Sequence, residues 1–165
     1  MEKAKTPSSL YESSLVLVHA SHNTCYTNFI IWGDFNPDEI TELLGLKPYE
    51  ISRKGDKAKS GRINQISSWK FGYNDNYTWD VNKQILQTIT PLLNKISLLK
   101  DLKLRYNADF FLEVVPTIRF DEPTPCLAPS QEVMAFCCAT DTKLDIDLYI
   151  STPDDYKGNN PAWEQ

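Results

Sequence analysis

The period of apolar and polar positions changes several times along the chain, and each change marks an element. Tyr26–Trp32 (YTNFIIW) is a run of aromatic and β-branched residues ending at Gly33-Asp34, which predicts a strand followed by a turn. A helix start follows at once. Asn36 suits the N-cap, Pro37 the first helical position, and Asp38 and Glu39 the positive end of the helix dipole. Ile40, Leu43 and Leu44 form an apolar stripe, Gly45 a left-handed stop, and Pro48 a block to continuation. Residues 50–66 are polar and basic, contain Gly55 and Gly61, and read as a long loop. Ser67–Tyr73 alternates Trp69, Phe71 and Tyr73 against Ser68, Lys70 and Gly72, the pattern of a half-buried strand.

From Trp79 to Leu104 the apolar spacing is helical, with Asp80 as a cap, a kink or the meeting of two helices expected at Pro91 and a second break near Leu98 to Asp101. Ala108–Phe120 predicts a long strand, bent at Pro116, a residue that sheets accept at edges and bulges. Ser130–Ala139 predicts a second short helix. Lys143–Ile150 alternates strictly, with Leu144, Ile146, Leu148 and Ile150 expected on a buried side and Asp145, Asp147 and Tyr149 on the other. Leu15–His19 reads as a short strand, residues 1–13 as a frayed N-terminus, 14–151 as one α+β domain and 152–165 as a loose tail in which Trp163 docks.

The expected architecture is α+β: an antiparallel or mixed sheet of four to six strands with helices packed on one face. Residues 26–73 and 108–150 share a strand, helix, strand order with Pro at each helix start. A duplication would explain this and give the fold ferredoxin-like character; chance recurrence of Pro at helix starts would also produce it.

Composition refines this picture little. Of 165 residues, 41% are hydrophobic and 24% charged, values of a chain that can build a core. The net charge of −5 disfavours a general nucleic-acid or anionic-membrane surface. No early apolar run has the length of a signal peptide or a membrane span, so a cytoplasmic location is expected. Cys25, Cys126, Cys137 and Cys138 lack CxxC spacing and are expected to be small buried hydrophobes rather than ligands or disulfides.

One stretch is more specific. Trp32-Gly33-Asp34, Pro37, Ile40-Thr41, Leu43-Leu44-Gly45-Leu46, Pro48, Arg53-Lys54-Gly55-Asp56 and Trp69 together resemble the bacterial family called domain of unknown function 4279. The helix at Pro129-Ser130-Gln131-Glu132-Val133 and the strand LDIDLY resemble that family's C-terminal end. The chain departs at Ser52, where an aromatic residue is expected. The resemblance covers roughly residues 26–150 and implies a small cytosolic domain without an assigned activity, of a kind found among immunity and defence proteins.

No catalytic constellation stands out, and no cofactor is expected. His19 and His22 straddle a strand–turn boundary without a nearby ligand cluster and read as surface residues, not a metal site. Asp145 and Asp147 share a strand side and, joined by Glu113, would make an acidic cluster; a solvated sheet face needs polar residues there anyway. Arg53, Lys54, Lys57, Lys59 and Arg62, beside Gly55 and Gly61, could hold a phosphate-bearing ligand, with Asp56 and Trp69 nearby; an exposed charged loop has the same composition. Trp32, Trp69, Phe71, Tyr73, Tyr77 and Trp79 could stack a ligand on an open sheet or fill a core. The first functional expectation is a non-enzymatic protein-binding, immunity-type module. The second is a phosphate- or nucleotide-binding protein using the 53–62 loop at Arg53, Lys54, Gly55, Asp56 and Trp69.

Overall fold

The computed structural model describes residues 22–76 and 80–152. The strand expected at Leu15–His19, the frayed first residues, the tail from residue 153 with Trp163, and Tyr77 and Trp79 lie outside the described residues. The elements, in chain order, begin with β1 (Thr24–Gly33), α1 (Pro37–Leu44), β2 (Glu50–Ser52) and β3 (Ser67–Asn76). Then come α2 (Val81–Ile89), a 3₁₀ segment (Thr90–Lys95), α3 (Ile96–Tyr106) and β4 (Asp109–Arg119). The last are α4 (Gln131–Thr140), β5 (Thr142–Ile146) and β6 (Tyr149–Ser151).

They build a mixed sheet in the order β2-β3-β1-β4-β5, with β6 pairing β4 beyond the end of β5. The β2–β3, β3–β1 and β1–β4 pairs are antiparallel, whereas β5 and β6 run parallel to β4. The first four strands thus form two interleaved strand–helix–strand units, the ferredoxin-like order, and α4 carries the chain over to add β5 at the edge. The two similar sequence units are not arranged alike. The strands of the first, β1 and β3, pair antiparallel, while those of the second, β4 and β5, pair parallel.

The helices cover one face. Alternate strand residues Phe29, Ile31, Trp69, Phe110, Leu112 and Val114 meet Ile40, Leu44, Ile85, Leu99, Val133 and Phe136 in one buried core. Burying each large apolar side chain there contributes about 1.5–3 kcal/mol. α1 forms as its sequence predicts: Asn36 Oδ1 accepts from Asp38 N–H at 3.1 Å, Pro37 is at the first turn, and Gly45 closes the helix with φ +61°. Asp80 and Ser130 cap α2 and α4 through Lys83 N–H and Val133 N–H.

Several expectations need correction. The 50–66 segment is not all loop. Glu50–Ser52 pairs with β3, and the rest folds back on itself with Ala58 N–H bonded to Arg62 O at 2.8 Å and a bridge between Lys57 and Ile63. The kink at Pro91 is a 3₁₀ segment, and the second break falls at Lys95–Ile96 rather than at Leu98–Asp101. Pro116 sits within β4, which is not an edge strand. Its missing N–H faces the gap between β5 and β6, where no ladder bond is required.

Tyr73 is not on the face of Trp69 and Phe71. The β1–β3 register shifts between Thr27 and Phe29, and Gly72 opposite this shift has φ +70°, so β3 carries a bulge that turns Tyr73 to the other side. Lys143–Ile150 is two strands rather than one, and its apolar side is not buried: Leu144, Ile146 and Ile150 are 38%, 43% and 63% exposed. Of the four cysteines only Cys25 is buried, which pushes its thiol up to about 11; Cys126 and Cys138 are exposed. No helix of the described residues is long and apolar enough to cross a membrane.

Candidate functional site

The basic loop holds the residues that the sequence singles out for ligand binding. Arg53 and Lys54 follow β2 and meet the N-terminus of α1 in a cleft lined by Asp34, Phe35, Asn36, Pro37 and Ser67. Both cations are already paired there. The Arg53 guanidinium contacts both carboxylate oxygens of Asp38 at 2.8 and 2.9 Å, and Lys54 Nζ contacts Asp34. Gly55 takes φ +90° and, with Asp56, forms a turn closed by Gly55 N–H to Asn64 O and Asp56 N–H to Arg53 O. Lys57, Lys59 and Arg62 extend into solvent. Trp69 does not reach this cleft. It is fully buried, its indole N–H donates to Thr41 Oγ1 at 3.0 Å, and its ring stacks on Phe71 at 5.6 Å. It ties β3 to α1.

His22 bonds Glu122 at 2.8 Å, next to the Asn23 N–H bond to the same carboxylate. The two bonds hold the Glu122 carboxyl below its usual range, the backbone N–H contributing more than the imidazole. This joins the start of β1 to the loop after β4. His19 lies outside the described residues. Among the described residues no group of three His, Cys, Asp or Glu could hold a metal ion.

A second region is built by the sheet face that carries no described helix. Strand alternation presents Tyr26, Asn28, Ile30 and Trp32 from β1 on that side, with Lys70 and Tyr73 from β3 and Phe111, Glu113 and Val115 from β4. Ile30 and Val115 are buried although neither belongs to the core beneath the helices, so the face has an apolar floor of its own. Three tyrosines meet at one end: the Tyr73 ring is 5.5 Å from Tyr26 and 5.3 Å from Tyr49. The Gly72 bulge makes this meeting possible. At the other end Trp32 packs on Phe111 at 4.6 Å, and Lys143 Nζ lies 5.0 Å over the Phe111 ring.

Glu113 sits in the middle. Its carboxylate accepts from Asn28 Nδ2 at 2.6 Å, and its register partner is Asp145. Partial burial raises its affinity for a proton, the Asn28 bond and Lys70 oppose this, and Asp145 and Asp147 add to the rise. Glu113 therefore feels both Asp145 and Asp147, a neighbourhood that the sequence left open. Burial and Glu113 hold the Tyr26 hydroxyl protonated, and burial, Glu50 and Glu113 do the same for Tyr49. The Tyr149 hydroxyl is bonded to Asp147 at 2.7 Å. Beneath the group, Asn28 is 1% exposed and its Oδ1 has no hydrogen-bond partner among the described residues. A buried acceptor without a donor is uncommon and costs about 1–3 kcal/mol.

Sequence reading missed Tyr26, Asn28, Tyr49 and Lys70 as members of this site. The signal present in the sequence was the strand at Tyr26–Trp32 itself, whose second face carries Tyr26, Asn28, Ile30 and Trp32. Tyr49 could not be found, because its place depends on β2 pairing with the far side of β3.

No curated protein and no solved structure matches the chain. The family model described as Domain of unknown function (DUF4279) matches residues 23–151, a span from the start of β1 to the end of β6 that holds both the 53–62 loop and the tyrosine–carboxylate face. The chain belongs to this family.

Proposed function

We propose that the protein is a binding module that docks a basic protein surface on the open face of its sheet. The observation that carries the reading is the grouping of Tyr26, Tyr49 and Tyr73 with Glu113, Asp145 and Asp147 on a face without a described helix. Tyrosine faces attract cations, and a partly desolvated carboxylate bonds a guanidinium more strongly than one in water. Acidic and aromatic together, the face suits Arg and Lys side chains and repels phosphates. Covering a basic site on a partner is how an immunity-type protein acts, and the face supplies the chemistry for it.

The phosphate-binding reading of the 53–62 loop has weaker support. Both cations in its cleft face carboxylates, so an incoming phosphate would have to displace Asp34 and Asp38.

The test is a titration of the full chain with an arginine-rich peptide, followed by amide chemical shifts. Shifts are expected at Tyr26, Tyr49, Tyr73, Glu113 and Asp145. Glu113→Gln with Asp145→Asn should weaken binding roughly tenfold, the ~1.4 kcal/mol of a charge-assisted contact. Absence of shifts on this face, or an affinity untouched by the double variant, would remove the reading.

A further inference from the structure

The edge of the sheet at β5 is a different surface from the open face. Asp147 N–H donates to Val114 O at 3.0 Å, so on β5 the odd-numbered residues turn their backbone groups toward β4. By strand alternation, Thr142, Leu144 and Ile146 turn theirs outward, away from the sheet. Exposed edges are normally blunted, because unpaired N–H and C=O groups recruit another strand. This one instead carries apolar side chains. Leu144 and Ile146 are 38% and 43% exposed although their register partners Leu112 and Val114 are buried. Met134 on the crossover helix α4 is exposed as well.

The order of charges on the edge is self-complementary. In Thr142-Lys143-Leu144-Asp145-Ile146, reversing the strand about Leu144 places Lys143 opposite Asp145 and Asp145 opposite Lys143. Both side chains lie on the open-face side of the sheet, in line with Phe111 and Glu113 of β4. An antiparallel pair centred on Leu144 is a hydrogen-bonded pair, with Leu144 exchanging both backbone bonds with its copy. The flanking Lys143–Asp145 pairs are then non-hydrogen-bonded pairs, whose side chains approach more closely. We propose that two copies of this chain associate through β5, pairing antiparallel about a twofold axis at Leu144 to form one continuous sheet.

In that arrangement Lys143 bridges its own Asp109, at 2.9 Å, and the Asp145 of the other copy. Beneath the seam Leu144 faces the Leu144 of the other copy, and Ile146 faces its Thr142. Asp145 is shared with the seam, and the rest of each open face, with Tyr26, Tyr49, Tyr73 and Glu113, stays free.

Analytical ultracentrifugation of the full chain across a concentration series tests this, with the charge-swap variants Lys143→Asp, Asp145→Lys and the two combined. The unaltered chain should sediment as a concentration-dependent dimer. Each single swap sets like charges opposite each other twice and should weaken association at least about tenfold. The double swap restores opposite charges and should recover the dimer. Thermal melting controls for folding, since the Lys143–Asp109 pair is exposed and its loss costs little. Amide exchange at Leu144 and Ile146 should slow as protein concentration rises. A monomer at all concentrations overturns the proposal. So does a dimer indifferent to the swaps, or one that the double swap fails to restore. A monomer whose Leu144 and Ile146 amides are nevertheless protected would assign the edge to another occupant and overturn it equally.

Discussion

Trp69 and Glu113 show how one residue's role depends on which side of its strand is covered. Both lie mid-strand in alternating segments. Trp69 points beneath the helices, is sealed from solvent and spends its only polar group on Thr41. Glu113 points the other way and is left half-buried among tyrosines with one donor, Asn28. Its proton affinity is raised in the folded state, so the fold favours the protonated form and opposes the ionised one. The penalty is absent at acid pH and grows as pH rises through the carboxylate range. Glu113→Gln can still accept from Asn28 and never ionises. The variant should therefore gain on the unaltered protein as pH rises from about 4 to about 7. Paired thermal melts at the two pH values measure this. A difference in melting temperature that stays constant would show that Glu113 carries no such penalty.

At the scale of elements, β3 is the one whose geometry exceeds its pattern. The Gly72 bulge lets a single strand serve two faces, Trp69 and Phe71 below and Tyr73 above. Gly72 holds φ +70°, and a Cβ there would lie 3.1 Å from Thr88 Cγ2 and 3.3 Å from Thr88 O. Strain and crowding act together, so Gly72→Ala should cost about 1–3 kcal/mol, read as a lower urea midpoint with an unchanged slope. Thr88 adds to the constraint, since its hydroxyl donates to Gly72 O at 3.0 Å and meets Thr27 Oγ1 at 2.7 Å. A variant as stable as the parent would mean that the bulge relaxes without cost, and with it the placement of Tyr73.

For the whole molecule the decisive feature is asymmetry. One face of the sheet is closed by helices, the other holds tyrosines and carboxylates, and one edge ends in an apolar strand. The net charge of −5 agrees in sign with the local group of Glu113, Asp145 and Asp147. Attraction of a basic peptide should then be screened by salt, with affinity falling steeply between about 50 mM and about 500 mM. Titrations at several salt concentrations check this. An affinity independent of salt would place the binding energy in the aromatic contacts and leave the carboxylates without a role.

The sequence by itself determined the local elements. Asn36, Pro37 and Gly45 bound α1 because capping is a matter of a few consecutive residues, and period-two alternation marked β3 and β5 because a pleated strand has only two sides. Alternation says that two sides differ; it does not say which neighbour covers either. That was decided by tertiary pairing: β5 fell at an edge and left Leu144 and Ile146 exposed, and the bulge at Gly72 sent Tyr73 to join Tyr26 and Tyr49. The same long-range placement brought Asp34 and Asp38 to Lys54 and Arg53, pairings that no local spacing in the sequence announces.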